Sequence, residues 1–297
     1  MYLTGFADEA ADEIDDQIKA TLELGWSNIE ARNIDKRNIH DLTDAEFGVV
    51  YGKLADAGVS VNCFGSAISN WAKQITDPND SSMDEVARAI PRMQRLGAKL
   101  IRIMSYAVIE DRNPDDQLAE ERFKRLREIL ARFTDAGITP VHENCMNYGG
   151  MGWPYTLKLL ENVPGLKLVF DTGNPVFLAD RTKDEPYPKQ SSWDFYSRVK
   201  EHIAYIHIKD CTWDPDANDA KYTYPGEGSG DVKRIVKDLL DGGYDGGISI
   251  EPHLAVVFHD DSVGSSDEAR YTSYVEYGKR LEELIKEIGH ADKLSDQ

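Results

Sequence analysis

Five times along the chain an amphipathic helical stretch closes on glycine and passes at once into a short apolar run: LELGWSNIE, LADAGVSVNCF, QRLGAKLIRI, FTDAGITPVHE and LLDGGYDGGISIE. Glycine ends a helix there because it enters the left-handed region without a Cβ clash. The residues are Gly25, Gly58, Gly97, Gly137 and Gly243, separated by 33, 39, 40 and 106 positions. A strand-helix-strand unit needs about 30 residues or more, so the last gap has room for roughly three further units. LKLVFD (166–171) and YIHIKD (205–210) read as strands within it. The segment WDFYSRVKEH supplies a helix between them.

Eight strands result: YLTGFA, SNIEA, VSVNCF, KLIRIM, ITPVHE, LKLVFD, YIHIKD and GISIE, each followed by a helical segment. In the first helix Ile14, Ile18 and Leu22 recur at i, i+4 and i+8 and predict its buried face. The alternation predicts an α/β fold, a single (β/α)8 TIM barrel over residues 1–290. An additional C-terminal helix is expected at about 267–289, and residues 291–297 read as a polar tail. A doubly wound open sheet is the competing architecture. Against it, neither GxGxxG nor GxxxxGK[ST] follows the first strand. The long connections (64–81, 105–117, 172–191, 211–230 and 252–266) all follow strands, which marks the C-terminal rim of the barrel as the face to search.

Composition narrows the partners. With 34 basic against 53 acidic side chains the formal charge is −19, whereas a nucleic-acid or anionic-membrane surface calls for a basic excess. No apolar run reaches spanning length, and MYLTGFADEA lacks the pattern of a secretory signal. Cys63, Cys145 and Cys211 are an odd number without CxxC spacing. They read as reduced thiols in a cytoplasmic compartment.

Four consecutive strands end on a metal-ligand residue type: Glu143, Asp171, His207 and Glu251, separated by 28, 36 and 44 positions. Each step is one strand-helix-strand unit, so the four share one rim. Three carboxylates crowded together repel unless a cation neutralises them. Taken singly, each acid has a plain alternative as a helix cap or ion-pair partner, and His207 as a core histidine. Together they form an oxygen-rich set suited to one divalent metal: Mn²⁺, Mg²⁺ or Co²⁺, with Zn²⁺ also accommodated.

The strand-five Glu, strand-six Asp, H-x-K-D run on strand seven and strand-eight Glu resemble the xylose isomerase-like TIM-barrel superfamily. That group includes ketose 3-epimerases, inosose isomerases and dehydratases, hydroxypyruvate isomerase and, more distantly, endonuclease IV. The segment YPGEGSGDVKRIVKDLLDGGYDGGISIEPH is similar to its P-G-x-G stretch, helix and final ligand strand. The resemblance implies that Glu143, Asp171, His207 and Glu251 bind one divalent metal, usually Mn²⁺, and that Glu143 and Glu251 double as acid/base catalysts. The extra C-terminal helix and related barrels are compatible with a homo-oligomer, a dimer or tetramer, without fixing its state.

Two positions depart from the ketose 3-epimerases, with Asn174 and Trp213 where those enzymes carry a substrate-holding His and Arg. Lys209, two beyond His207, faces the same way. It is expected either to hold a keto oxygen or protonate a departing hydroxyl, or to pair with Asp210 or a metal carboxylate. Asn174, Glu30 and His253 complete the candidate substrate-binding set, Glu30 alternatively capping a helix or pairing with Arg32. Trp71, Trp153 and Trp213 lie in strand-to-helix loops, where rings stack on sugars or anchor the loop. His142 alternates outward and reads as packing.

The reaction expected is isomerisation or epimerisation of a small sugar, keto-sugar or polyol derivative, through a metal-stabilised enediolate. The alternatives are a lyase or dehydratase acting on a keto-sugar or inosose at the same site, a barrel that binds such a ligand without turnover, and, remotely, an endonuclease-IV-like phosphodiesterase. Only seven histidines (40, 142, 202, 207, 253, 259 and 290) and the acidic charge oppose the last. No evident anion nest follows strands seven or eight; the nearest, Gly226 to Ser229, contains Glu227, which points to a substrate without phosphate.

Overall fold

The computed structural model describes residues 1–256 and 265–294. All eight expected strands form: β1 Tyr2–Gly5, β2 Asn28–Ala31, β3 Ser60–Phe64, β4 Leu100–Ile103, β5 Thr139–Glu143, β6 Lys167–Asp171, β7 Ile203–Ile208 and β8 Gly247–Ile250. They are parallel neighbours in one sheet running from β1 through β8 down to β2. A single bridge, Phe6 to Glu30, brings β1 and β2 together, so the barrel is nearly closed.

Around it lie α1 Ile14–Glu23, α2 Asp44–Ala57, α3 Asp80–Leu96, α4 Ala119–Asp135, α5 Trp153–Asn162, α6 Ser192–Val199, α7 Val232–Asp241 and α8 Asp267–Glu287. The C-terminal helix α8 follows β8 and lies against α1 and α7. The five punctuating glycines all have φ between 68° and 83°, the backbone state that made glycine the expected residue. In α1, Ile14 and Ile18 are buried but Leu22 is 48% exposed, a correction to the expected face. At 100° per residue, position i+8 has turned about 80° off the stripe, and Thr21 takes its place in the core.

The connection 211–230 carries an element not foreseen, a hairpin pairing Asp210–Asp214 with Asp219–Thr223. A smaller one pairs Asn33–Ile34 with Arg37–Asn38. Residues 257–264, including His259 and part of the 252–266 connection, lie outside the described residues, as do 295–297 of the tail. Residues Ala291–Leu294 form a short 3-10 turn. Among the described residues no helix is long and apolar enough to cross a membrane. All three cysteines are buried and free.

Alternation sorts the strand side chains into two environments. Outward residues such as Ile101, Leu168, Ile206 and Ile248 join the large core under the helices. Inward ones form layers, beginning with Cys63, Val141, Val169 and Tyr205. His142 points outward as expected, its Nε2 3.0 Å from Ser105 Oγ. Burial holds its imidazole down at about 4. The unfolded chain takes up that proton near 6.5, so the neutral ring contributes stability above pH 6.5 that is lost as pH falls toward 4. The difference in unfolding free energy between wild type and His142→Phe should shrink by about 3 kcal/mol between pH 7 and pH 4. Denaturant melts at both pH values check this; an unchanged difference would refute it.

Candidate metal and active site

The four strand-end residues converge. Glu143, Asp171, His207 and Glu251 are all buried, and one ligand atom from each lies within 4.8 Å of the others. Parallel register explains much of this: Asp171 sits opposite His207, and His207 opposite Ser249, with Glu251 two residues further along the same face.

Glu143 Oε1 lies 3.4 Å from His207 Nδ1 and 3.5 Å from Asn174 Nδ2, and its Oε2 faces Arg102 Nη1 at 3.2 Å. Asp171 Oδ1 accepts the backbone N–H groups of Gly173 and Asn174 at 2.8 and 2.7 Å, capping the helical turn Asn174–Phe177. Its Oδ2 lies 2.9 Å from Lys209 Nζ. Asn144 braces the same strand end, accepting from the Asp171 N–H at 2.7 Å and donating to its carbonyl at 3.0 Å. Glu251 Oε1 meets Arg32 Nη1 at 3.2 Å, and Oε2 meets Lys209 Nζ at 3.1 Å and His207 Nδ1 at 3.7 Å.

These contacts set the charge states. Against burial, which would raise it, Arg102 and His207 hold Glu143 down at about 2. Lys209, His253, His207 and Arg32 likewise hold Glu251 well below the usual carboxylate range despite its burial. Burial pushes Asp171 up to about 7, with Lys209 opposing and Glu251 and Glu143 adding to the rise. Although burial favours its neutral form, His207 is pushed up to about 10 by Glu30 and Glu143. Lys209 stays an ammonium, its burial outweighed by Asp171 and Glu251.

The donor set fits a hard divalent ion. Among the described residues six buried carboxylates, Asp8, Glu9, Glu30, Glu143, Asp171 and Glu251, meet three buried fixed cations here, Arg32, Arg102 and Lys209, together with the imidazolium of His207, which leaves an excess of negative charge. A second acidic group, Glu9, Glu251 and His253, already holds a cation, since Arg32 reaches both Glu9 and Glu251 at 3.2 Å.

A cavity of about 190 Å³ opens directly over these residues. Glu143, Glu251, Lys209, Asn174 and His253 line it. Trp71 also lines it; Trp153 and Trp213 do not, the former stacking with Arg198 and the latter with Lys189. Lys209 pairs with Asp171 and Glu251 and not with Asp210. Glu30 is corrected in place and partner: it lies fully buried beneath His207, away from the cavity wall. Arg32 pairs instead with Asp8, Glu9 and Glu251.

Arg32 and Arg102, both cavity-lining, were missed. Alternation could have found them, since Arg32 is two beyond Glu30 and Arg102 interrupts the apolar run KLIRI. Asp8 and Glu9 follow β1 on a 3-10 turn and carry no comparable signal.

A family model described as xylose isomerase-like TIM barrel matches residues 18–289. The chain belongs to this family. A search of curated proteins finds no match. Solved structures similar to it include a xylose isomerase-like TIM barrel protein from Mycobacterium smegmatis in complex with magnesium (18% identity, 92% of this chain and 88% of that one, TM-score 0.67). A D-tagatose 3-epimerase-like protein is 16% identical over 98% of this chain and 100% of that one, with TM-score 0.70. A probable 3-DHS dehydratase, AsbF, from Bacillus anthracis is 15% identical over 94% and 98%, with TM-score 0.66. At these identities the likeness shows a shared fold.

Proposed function

We propose that this barrel is a divalent-metal-dependent isomerase or epimerase of a small sugar, keto-sugar or polyol derivative. The observation that carries the reading is the buried convergence of Glu143, Asp171, His207 and Glu251 beneath an open cavity. These four would hold the ion, Mn²⁺ being the first choice and Mg²⁺, Co²⁺ or Zn²⁺ compatible with the donors. A bound dication supplies the positive charge that stabilises an enediolate.

The chain's own groups do the proton work. Glu143 and Glu251 are ionised and line the cavity, so one can take a proton from the carbon beside the substrate carbonyl while the other returns one. Arg102 and Arg32 hold the two carboxylates in place. Asn174 and His253 present polar groups to substrate hydroxyls from the cavity wall. Lys209 is a poor proton donor because Asp171 and Glu251 stabilise its charged form. That weighs toward isomerisation over elimination.

The Gly226–Gly230 segment has no N–H groups to spare for a phosphate at this place. Gly226, Gly228 and Gly230 already donate to Asp210, which supports a non-phosphorylated substrate. Three buried free thiols suit a reducing, cytoplasmic compartment.

Elemental analysis of the purified protein, followed by incubation of keto-sugars and inososes with that metal or Mn²⁺ in D₂O, tests the proposal. After chelation of the metal, proton NMR should show deuterium at the carbon beside the carbonyl in a product of conserved skeleton. Loss of water would assign the lyase reaction, and absence of both exchange and product across the panel would overturn the enzymatic reading.

A further inference from the structure

The imidazole of His207 has two nitrogens, and only one faces the other three ligands. Nδ1 lies 3.4 Å from Glu143 Oε1 and 3.7 Å from Glu251 Oε2. Nε2 points the opposite way, into the barrel, at 3.0 and 3.2 Å from the two oxygens of Glu30. Glu30 is itself fixed, since Ser249 Oγ donates to its Oε2 at 2.6 Å. The ring is wedged edge-on between Phe6 and Tyr205, with centroids 5.0 and 5.6 Å away. A register shift between Ile29 and Glu30 re-aims that strand end where it pairs with β3.

We infer that Glu30 is a positioning residue for the metal: it holds the proton of His207 on Nε2 and thereby presents the Nδ1 lone pair to the ion. An ionised carboxylate accepts only, so a neutral imidazole beside it must place its one N–H on the nitrogen that faces it. Both hydrogen-bonding groups that face the Glu30 oxygens, His207 Nε2 and Ser249 Oγ, lie at donor distance, 3.0 and 2.6 Å. The arrangement also makes the ring a stronger ligand, since a carboxylate behind a ligating histidine raises its basicity. Nothing in this role brings Glu30 into contact with substrate.

The inference rests on the metal reading above, and the test separates the two. Zn²⁺ and Mn²⁺ affinities of wild type and Glu30→Gln are measured by competition against a chelating indicator. Glu30→Gln should weaken Zn²⁺ binding by ~10–100-fold. In nitrogen-15-labelled, Zn²⁺-loaded wild type, His207 should show a protonated Nε2 and a metal-bound Nδ1; the downfield Nε2 proton should move or vanish in Glu30→Gln. If Glu30→Gln fails to fold, Ser249→Ala, which removes the hydroxyl donating to Glu30, should weaken Zn²⁺ binding in the same direction by a smaller factor. Zn²⁺ affinity within twofold of wild type in the variant measured, or Nε2 as the metal-bound nitrogen, overturns the inference while leaving the metal site standing. Failure of wild type to bind either ion overturns both.

Discussion

Glu251→Gln and Glu143→Gln should each lower kcat by ~10³-fold at saturating Mn²⁺, with KM changed by far less. Removing a general acid or base forfeits about 10²–10⁴-fold, and a carboxamide keeps the shape while losing the basic oxygen pair. The change at Glu251 reaches further. Its oxygens contact Arg32 and Lys209 at 3.2 and 3.1 Å, so Gln takes one counter-charge from each of two buried cations, leaving Arg32 to Asp8 and Glu9 and Lys209 to Asp171. Glu251→Gln should therefore be the less stable of the two variants. Steady-state kinetics, solvent deuterium exchange and thermal unfolding on the same preparations check all three statements. If both variants keep more than a tenth of wild-type kcat, the acid/base assignment is wrong.

The second large effect concerns Asp210, which lies outside both the four-residue cluster and the cavity lining. Its fully buried carboxylate accepts four backbone N–H groups: Cys211 and Gly230 on Oδ1 at 3.0 and 2.8 Å, Gly226 and Gly228 on Oδ2 at 2.9 and 3.0 Å. This single side chain satisfies the loop that joins the β7 hairpin to α7. Asp210→Ala strands those donors, each an unmet buried group worth about 1–3 kcal/mol, partly recovered by entering water. A loss of about 3–5 kcal/mol is expected, a drop in Tm of roughly 10 °C for a chain of this size. Asp210→Asn should lose part of the same energy, because its amide opposes N–H donors with N–H. A cost below about 1 kcal/mol for Asp210→Ala would refute the assignment. The loop glycines follow from the same geometry: a Cβ on Gly228 would sit 2.3 Å from Asp210 Oδ1 and 2.6 Å from the Cys211 carbonyl oxygen.

Residues whose environment follows from local period were legible before any coordinates. Glu143, Asp171, His207 and Glu251 end successive strands, and strand alternation with unit spacing brings them to one rim without knowledge of any contact between them. Lys209, inward by the same rule, reaches the site as expected. Asn174 reaches the cavity, whereas Trp213 leaves on a hairpin whose turn signal, Asp-Pro-Asp-Ala-Asn-Asp over 214–219, lay unread inside a long connection. Leu22 shows the limit even of local pattern, since a four-residue step drifts off a 3.6-residue helix within two turns.

Pairing across the barrel is a different matter. That Glu30 lies under His207, that Arg32 serves Glu251 and not its neighbour Glu30, and that Lys209 chooses Asp171 over the adjacent Asp210 depend on strand stagger and tilt. Those are properties of the closed sheet, decided between residues 38 to 219 positions apart. The amino-acid order therefore determined which side chains face the centre and at which end, because covalent geometry alone imposes that alternation. Which of them meet, and so which nitrogen of His207 faces Glu143 and Glu251 and which faces Glu30, was decided only when the barrel closed.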